Sequence, residues 1–226
     1  MGMNTYEYGN WLFVIISIAG FIAFAFSFFQ PKNSVDWGTF GGFSAFIIAL
    51  FTEMYGIPLT LFFLAPWLEK TFPSINPFAH NTGMLWNIIF NINSKDPMLS
   101  WLHTVSMIVI AAGGILIYTA WGTLLAAHKK HTLATTGLYR YIRHPQYDGF
   151  LLVMIGYIIM WPTVLTLLMF PILVGMYIRL ARKEEGLMEK EFGQEYKKYK
   201  AKTPAFIPTI SLITARKNKF NKLNNT

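Results

Sequence analysis

The chain has 226 residues and a net charge of +8; 54% of its residues are hydrophobic, 17% aromatic and 13% charged. A soluble domain typically carries about 25% charged residues, so this composition excludes an ordinary water-solvated globule. The absence of cysteine excludes disulfides, a catalytic thiol and thiolate metal sites.

The first ten residues hold no Lys or Arg, and the apolar run after them is too long for a signal h-region and lacks a small-residue cleavage site. Residues 11–29 therefore read as a membrane span. Residues 38–68 form a longer apolar stretch with Glu53 near its middle; Pro58 removes the backbone bond back toward Met54, which predicts one kinked segment. A carboxylate at membrane depth costs about 2.5 to 3.5 kcal/mol, so Glu53 is expected to face the bundle interior. The connection over residues 66–100, with Pro66, Pro73, Pro77 and an Asp96-Pro97 turn, is long for a compact protein. It reads either as a cap on the bundle or as chain lying at the interface.

Residues 104–127 form a further span, with Ala111, Ala112, Gly113 and Gly114 suited to close helix contact. Residues 149–178 are uncharged and would make a single helix of about 45 Å, longer than a bilayer needs; Trp161-Pro162 divides them. Lys129, Lys130, Arg140 and Arg143 precede this stretch, and Arg179, Arg182 and Lys183 follow it. Basic residues of short loops gather on the cytoplasmic side, so a hairpin satisfies both clusters and a single crossing does not. Sixteen of the nineteen basic residues lie after residue 127, which makes the net charge an inside-facing charge and not a nucleic-acid footprint. The expected fold is all-α: a polytopic membrane helix bundle of about five transmembrane segments, N-terminus outside and C-terminus cytoplasmic, with a C-terminal helical hairpin and an amphipathic cytoplasmic helix. Residues 1–100 supply the N-terminal segments and external connection, 101–208 the polar chemistry, and 209–226 a basic tail.

That chemistry begins at His128. The stretch to Gly149 is dense in polar and aromatic groups; Gly137 permits close backbone approach, and His144 is held extended by Pro145. His128, His131 and His144 are spaced by three and thirteen residues, with Asp148 as the one nearby carboxylate, so no metal is assigned. After the hairpin come Arg179, Arg182, Lys183, Glu184 and Glu185; Arg182, Glu185 and Glu189 share a helical face. Met188, Phe192, Tyr196 and Tyr199 make an apolar stripe, broken at Gly193 and stopped before Pro204. A solvated, salt-bridged helix accounts for Glu191, Glu195, Lys197 and Lys198. It accounts less well for Glu184 and Glu185, which stand at the membrane boundary, where a carboxylate usually faces a partner. The hairpin brings both clusters to one side, where histidine, tyrosines, arginine and paired carboxylates suit a zwitterionic ligand carrying a ring.

The ordered set Thr136-Gly137, Tyr139, Arg143-His144-Pro145, Tyr147, Gly149, then Glu184-Glu185, Phe192-Gly193, Glu195-Tyr196, Tyr199, Thr203-Pro204 and Ile207-Pro208 resembles the isoprenylcysteine carboxyl methyltransferase and phospholipid N-methyltransferase superfamily. It covers about 80 residues of the chain, and the first hundred contribute little. The resemblance implies S-adenosylmethionine bound at the cytoplasmic mouth and a lipophilic methyl acceptor arriving from the bilayer. By similarity, His131, Thr132, Leu133, Ala134, Gly137, Tyr139, Arg143, His144, Pro145, Gln146 and Tyr147 would contact the methyl donor, and Glu184 and Glu185 would complete its site. In the family an arginine one helical turn before a glutamate is associated with the acceptor; Arg179 and Arg182 are the candidates, and Glu53 is a further substrate-binding candidate. A sterol-reductase-like enzyme using NADPH, from the same superfamily, and a non-enzymatic membrane scaffold are the alternatives. A multi-pass protein of this kind would sit in the inner membrane of a bacterium or the endoplasmic reticulum of a eukaryote.

Overall fold

The computed structural model describes residues 8–28, 31, 34–92 and 100–208; the basic tail and the Asp96-Pro97 turn lie outside them. Seven α-helices account for most of the described chain: α1 Trp11–Phe28, α2 Ser34–Phe51, α3 Leu59–Thr71, α4 Leu85–Ile89, α5 Trp101–Lys129, α6 Pro145–Met160 and α7 Val164–Lys202. Among the described residues three helices are long and apolar enough to cross a membrane, Ser34–Gly56, Trp101–Lys129 and Val164–Lys202, while α1 and α6 are apolar and shorter. The protein is a multi-pass membrane helix bundle.

The expected single kinked segment is two helices. A π-helical turn, Thr52–Gly56, ends α2, and α3 starts afresh after Pro58. Pro58 cannot donate a backbone bond, and the orphaned amides at the start of α3 need acceptors. Glu53 supplies one, its Oε2 accepting the Thr60 amide at 2.9 Å; the Thr60 hydroxyl then accepts the Val164 amide at 2.8 Å. Glu53, 3% exposed, is thus a capping carboxylate that ties α3 to the start of α7.

The five long elements alternate in direction. Gly9, before α1, donates to Tyr55 and Gly56 at the end of α2, so α1 starts where α2 ends. The hairpin reading holds: α6 stops at Met160, and α7 begins beyond Trp161-Pro162 with Thr163 and Thr166 forming a reciprocal capping box. Lipid tails are as apolar as the side chains, so these helices associate through shape. A Cβ on Gly113 would lie 2.8 Å from the Gly149 carbonyl oxygen, and one on Gly149 would lie 3.0 Å from that of Gly113; with no side chain at either position α5 and α6 run backbone to backbone. Of the small-residue cluster, Gly113 alone is buried, and Ala111 and Ala112 are exposed, because one helix face can meet one neighbour. α7 packs instead on α2, Leu180 against Gly38 and the Tyr177 hydroxyl on the Thr39 carbonyl at 3.3 Å.

At the end away from the loop, the long connection caps the bundle. His80 stacks on Tyr55 at 5.5 Å and lies 4.7 Å from Trp161, and the Trp86 indole donates to the Ile158 carbonyl at 2.9 Å. At the opposite end α7 continues past the bundle, then breaks at Gly193, whose φ of 53° and ψ of −120° lie outside the helical region. The break folds the rest of the helix back: Lys200 Nζ lies 3.0 Å from Glu185 and 2.8 Å from Glu189. A straight helix would set residues 185 and 200 about 22 Å apart.

Candidate functional site

Three sequence segments converge at this end. His144, the N-cap of α6, donates its amide to the Ala205 carbonyl and Arg143 donates its amide to the Pro204 carbonyl, so the chain after α7 lies along the loop. Arg143 clamps the assembly. Its Nε and Nη2 donate to Glu185 Oε1 at 2.9 and 2.6 Å, and its Nη1 to the Lys200 carbonyl at 3.1 Å and to the Thr203 carbonyl. His144 Nε2 reaches the same Glu185 oxygen at 3.2 Å. Taking an ion pair out of water costs several kcal/mol per ion unless the remaining hydrogen bonds are made. Here Glu185 meets an arginine, a histidine and a lysine.

Glu184, one residue earlier, points elsewhere. Its Oε2 accepts from the Tyr147 hydroxyl at 3.2 Å and lies 3.5 Å from His144 Nδ1; that nitrogen is buried without a hydrogen bond. Burial pulls the His144 pKa down, but the neighbouring Glu184 and Glu185 carboxylates more than offset it, and the net shift is upward from 6.5. Tyr139 is held at both ends, its hydroxyl donating to Gln146 at 2.9 Å and its carbonyl accepting the Tyr199 hydroxyl at 2.6 Å. Burial first, and then the Glu184 charge, push its phenol up.

These groups enclose a cavity of about 540 Å³ between the start of α2, the end of α5, the loop and the folded-back arm of α7. Of the residues singled out from sequence, His131, Thr132, Leu133, Ala134, Tyr139, Arg143, His144 and Glu184 line it. Gly137, Pro145, Gln146, Tyr147 and Glu185 do not: Gly137 supplies a turn at φ 56°, and the others are buried behind the wall. Arg179 and Arg182 are exposed and outside the cavity, since Arg182 stands about 200° around the helix from Glu184; Glu185 takes Arg143 as its arginine partner and not Arg182. Glu53 caps a helix at the opposite end of the bundle. Glu191, read as a solvated charge, is exposed and also lines the cavity.

The stripe Met188, Phe192, Tyr196 and Tyr199 is the cavity's inner wall. Val35, Asp36, Trp121, Leu124 and Leu125 also line it and were not singled out from sequence. Asp36 beside Trp37 at a span entry was a readable signal; the residues of α5 look like any lipid-facing side chains. A second, apolar groove of about 740 Å³ runs between α1, α2, α5 and α6, lined by Phe21, Phe43, Ile117 and Phe150 among others. Ile117 lies one helical turn before Trp121, which lines the first cavity.

Residues 97–195 match the family model described as phospholipid methyltransferase. The protein-S-isoprenylcysteine O-methyltransferase of Schizosaccharomyces pombe is 36% identical over 84 residues, covering 37% of this chain and 36% of the relative. That of Homo sapiens is 25% identical over 178 residues, covering 74% and 61%, and that of Xenopus laevis 24% over 231 residues, covering 92% and 78%. The chain thus spans about a third of the length of the fission-yeast relative and three fifths of the human one. These matches make the chain similar to the isoprenylcysteine and phospholipid methyltransferases and support the superfamily resemblance that its motif residues carry.

Proposed function

We propose that the chain is a member of this superfamily and an integral membrane methyltransferase, taking its methyl group from S-adenosylmethionine and passing it to a lipophilic or small acceptor bearing a carboxylate, amine or thiol. One observation carries the reading: the loop, the entry of α6 and the Glu184 carboxylate of α7 line one cavity. Its volume of about 540 Å³ falls within the roughly 300 to 1,000 Å³ of small-molecule sites. The lining also fits the donor chemically. Trp121, Tyr139, Tyr196 and Tyr199 offer faces for an adenine ring; Asp36, Glu184 and Glu191 offer carboxylates for an ammonium, a sulfonium or ribose hydroxyls. The unbonded Nδ1 of His144 is a buried polar atom beside Glu184.

When bound, S-adenosylmethionine supplies a sulfonium methyl that is already activated, so the protein has only to align, hold and exclude water. Orientation of this kind is worth up to about 7 to 11 kcal/mol. Glu184, steadied by Tyr147, orients the donor's polar end. Arg143, His144 and Glu185 hold the wall behind it, and residues 131–134 line the rim. The acceptor reaches the site along the apolar groove, whose lining ends one turn of α5 from the cavity. The basic excess at this end supports a site on the cytoplasmic face, in a catalytic region of residues 101–208.

Calorimetric titration of detergent-purified protein tests the reading. S-adenosylmethionine is expected to bind, His144→Ala to weaken it, and NADPH to give no signal. Binding of NADPH without S-adenosylmethionine would favour the reductase alternative, and binding of neither a non-enzymatic protein.

A further inference from the structure

The two arginines that stand outside the cavity lie on one line. Leu168, Ile172, Gly175, Arg179 and Arg182 follow at spacings of four, three, four and three, and all are exposed, Leu168 and Ile172 at 63% and 70%; this is one face of a helix. The opposite face of α7, through Leu173, Tyr177 and Ala181, is buried. The exposed stripe therefore faces the bilayer. Counted from Val164 at the start of α7, Arg179 and Arg182 stand about 22 and 27 Å along the axis, just inside the far edge of a hydrocarbon layer about 30 Å thick. A guanidinium facing lipid at that depth reaches for the phosphate level. Among the described residues neither arginine takes part in an ion pair, those present engaging Arg143, His144 and Lys200. Below them Gly175 leaves open space on the helix surface, with nothing within 4 Å of its Cβ position.

We propose that Arg179 and Arg182 form a headgroup site for an anionic phospholipid of the leaflet on the loop side, its phosphate held by the two guanidinium groups and an acyl chain lying along Gly175, Ile172 and Leu168. Charge complementarity selects this occupant. A second copy of the chain packed in parallel on the same stripe would set arginine against arginine.

The test uses the full chain in nanodiscs of phosphatidylcholine with a minor share of phosphatidylglycerol, with the lipids retained on the protein read by native mass spectrometry. Each arginine near an anionic lipid surface is worth about fivefold in lipid preference. The wild type is expected to retain phosphatidylglycerol well above its share, Arg179→Gln with Arg182→Gln to lose most of that excess, and Lys197→Gln with Lys198→Gln to keep it. Arg179→Lys with Arg182→Lys preserves the charge and is expected to keep most of the excess, which separates loss of the site from loss of the fold. Undiminished enrichment in the glutamine pair overturns the proposal. So does displacement of the lipid by millimolar inorganic phosphate, which would make the pair a soluble-anion site, or a dimer in the wild type that the glutamine pair abolishes.

Discussion

Gly193→Ala isolates the fold-back of α7 from every side-chain contact. Nothing lies within 4 Å of the position its Cβ would take, so the substitution acts through the backbone alone. At φ 53° and ψ −120° an L-residue is strained by about 1 to 3 kcal/mol. Alanine also favours the straight helix by about 1 kcal/mol over glycine. The combined bias of about 2 to 4 kcal/mol offsets part of the contacts that hold the arm. The half-exposed Lys200 pairs are worth about 0 to 1 kcal/mol each, and the charged bonds from Arg143 to the Lys200 and Thr203 carbonyls about 1.5 to 3. The arm should therefore open more often than in the wild type, uncovering the wall formed by Tyr196 and Tyr199. With no native cysteine, spin labels at Gly186→Cys and Ala201→Cys report this by pulsed electron resonance. The neighbouring Glu185 and Lys200 are joined through side chains that hold their backbones within about 14 Å, against about 22 Å in a straight helix. The alanine variant is expected to populate the longer distance and to bind S-adenosylmethionine at least tenfold more weakly. An unchanged distance distribution with unchanged affinity would refute the coupling of arm and cavity.

The adjacent carboxylates should separate. Glu185→Gln breaks a buried pair with Arg143 and is expected to cost about 3 to 5 kcal/mol of stability, whereas Glu184→Gln leaves the melting temperature near wild type and lowers donor affinity; identical behaviour in melting and titration would merge their roles. His144 predicts a pH dependence: its folded pKa lies above the ordinary 6.5, so its contribution is complete below pH 6.5 and is lost as pH rises through the folded value, a slope in melting temperature that His144→Gln should remove. Single cysteines at residues 130 and 198 should label from the same face in sealed vesicles, and one at residue 80 from the other. Glu53→Leu should destabilise by about 1 to 3 kcal/mol, the cost of the Thr60 amide left unpaired, with donor affinity retained in the folded fraction.

Periodicity and charge carried the architecture further than they carried the site. Thirty uncharged residues split by Trp161-Pro162 and flanked by basic clusters have one economical solution, and the structure adopts it. Pro58 announced a break, but whether two helices or one bent helix followed depended on Glu53 finding the Thr60 amide, a contact seven residues away that no local rule specifies. The loop residues were legible because polar groups beside a membrane span need partners. Which arginine partners Glu185 was not, because Arg182 is three residues away on the same helix and Arg143 is forty-two residues away across the hairpin. Helical geometry read Glu191 as solvated, and it is exposed, but the turn at Gly193 also sets it at the cavity's edge.

The same contacts explain why one cavity needs pieces so far apart in the chain. Arg143 bonds to α7 through Glu185 and to the segment beyond it through the Thr203 carbonyl, while Tyr199 on the folded arm bonds to the Tyr139 carbonyl in the loop. If any one of the loop, the hairpin or the arm is displaced, the other two lose buried partners, and an orphaned buried charge costs far more than a surface pair contributes. The cavity should therefore form or open as a unit. The motif residues that do not line it, Glu185 and Tyr147 above all, act on any ligand through the position of Arg143, His144 and Glu184. Substituting them should change stability and affinity together, while Glu184, with one hydrogen bond to the scaffold and its charge turned to the cavity, should change affinity alone.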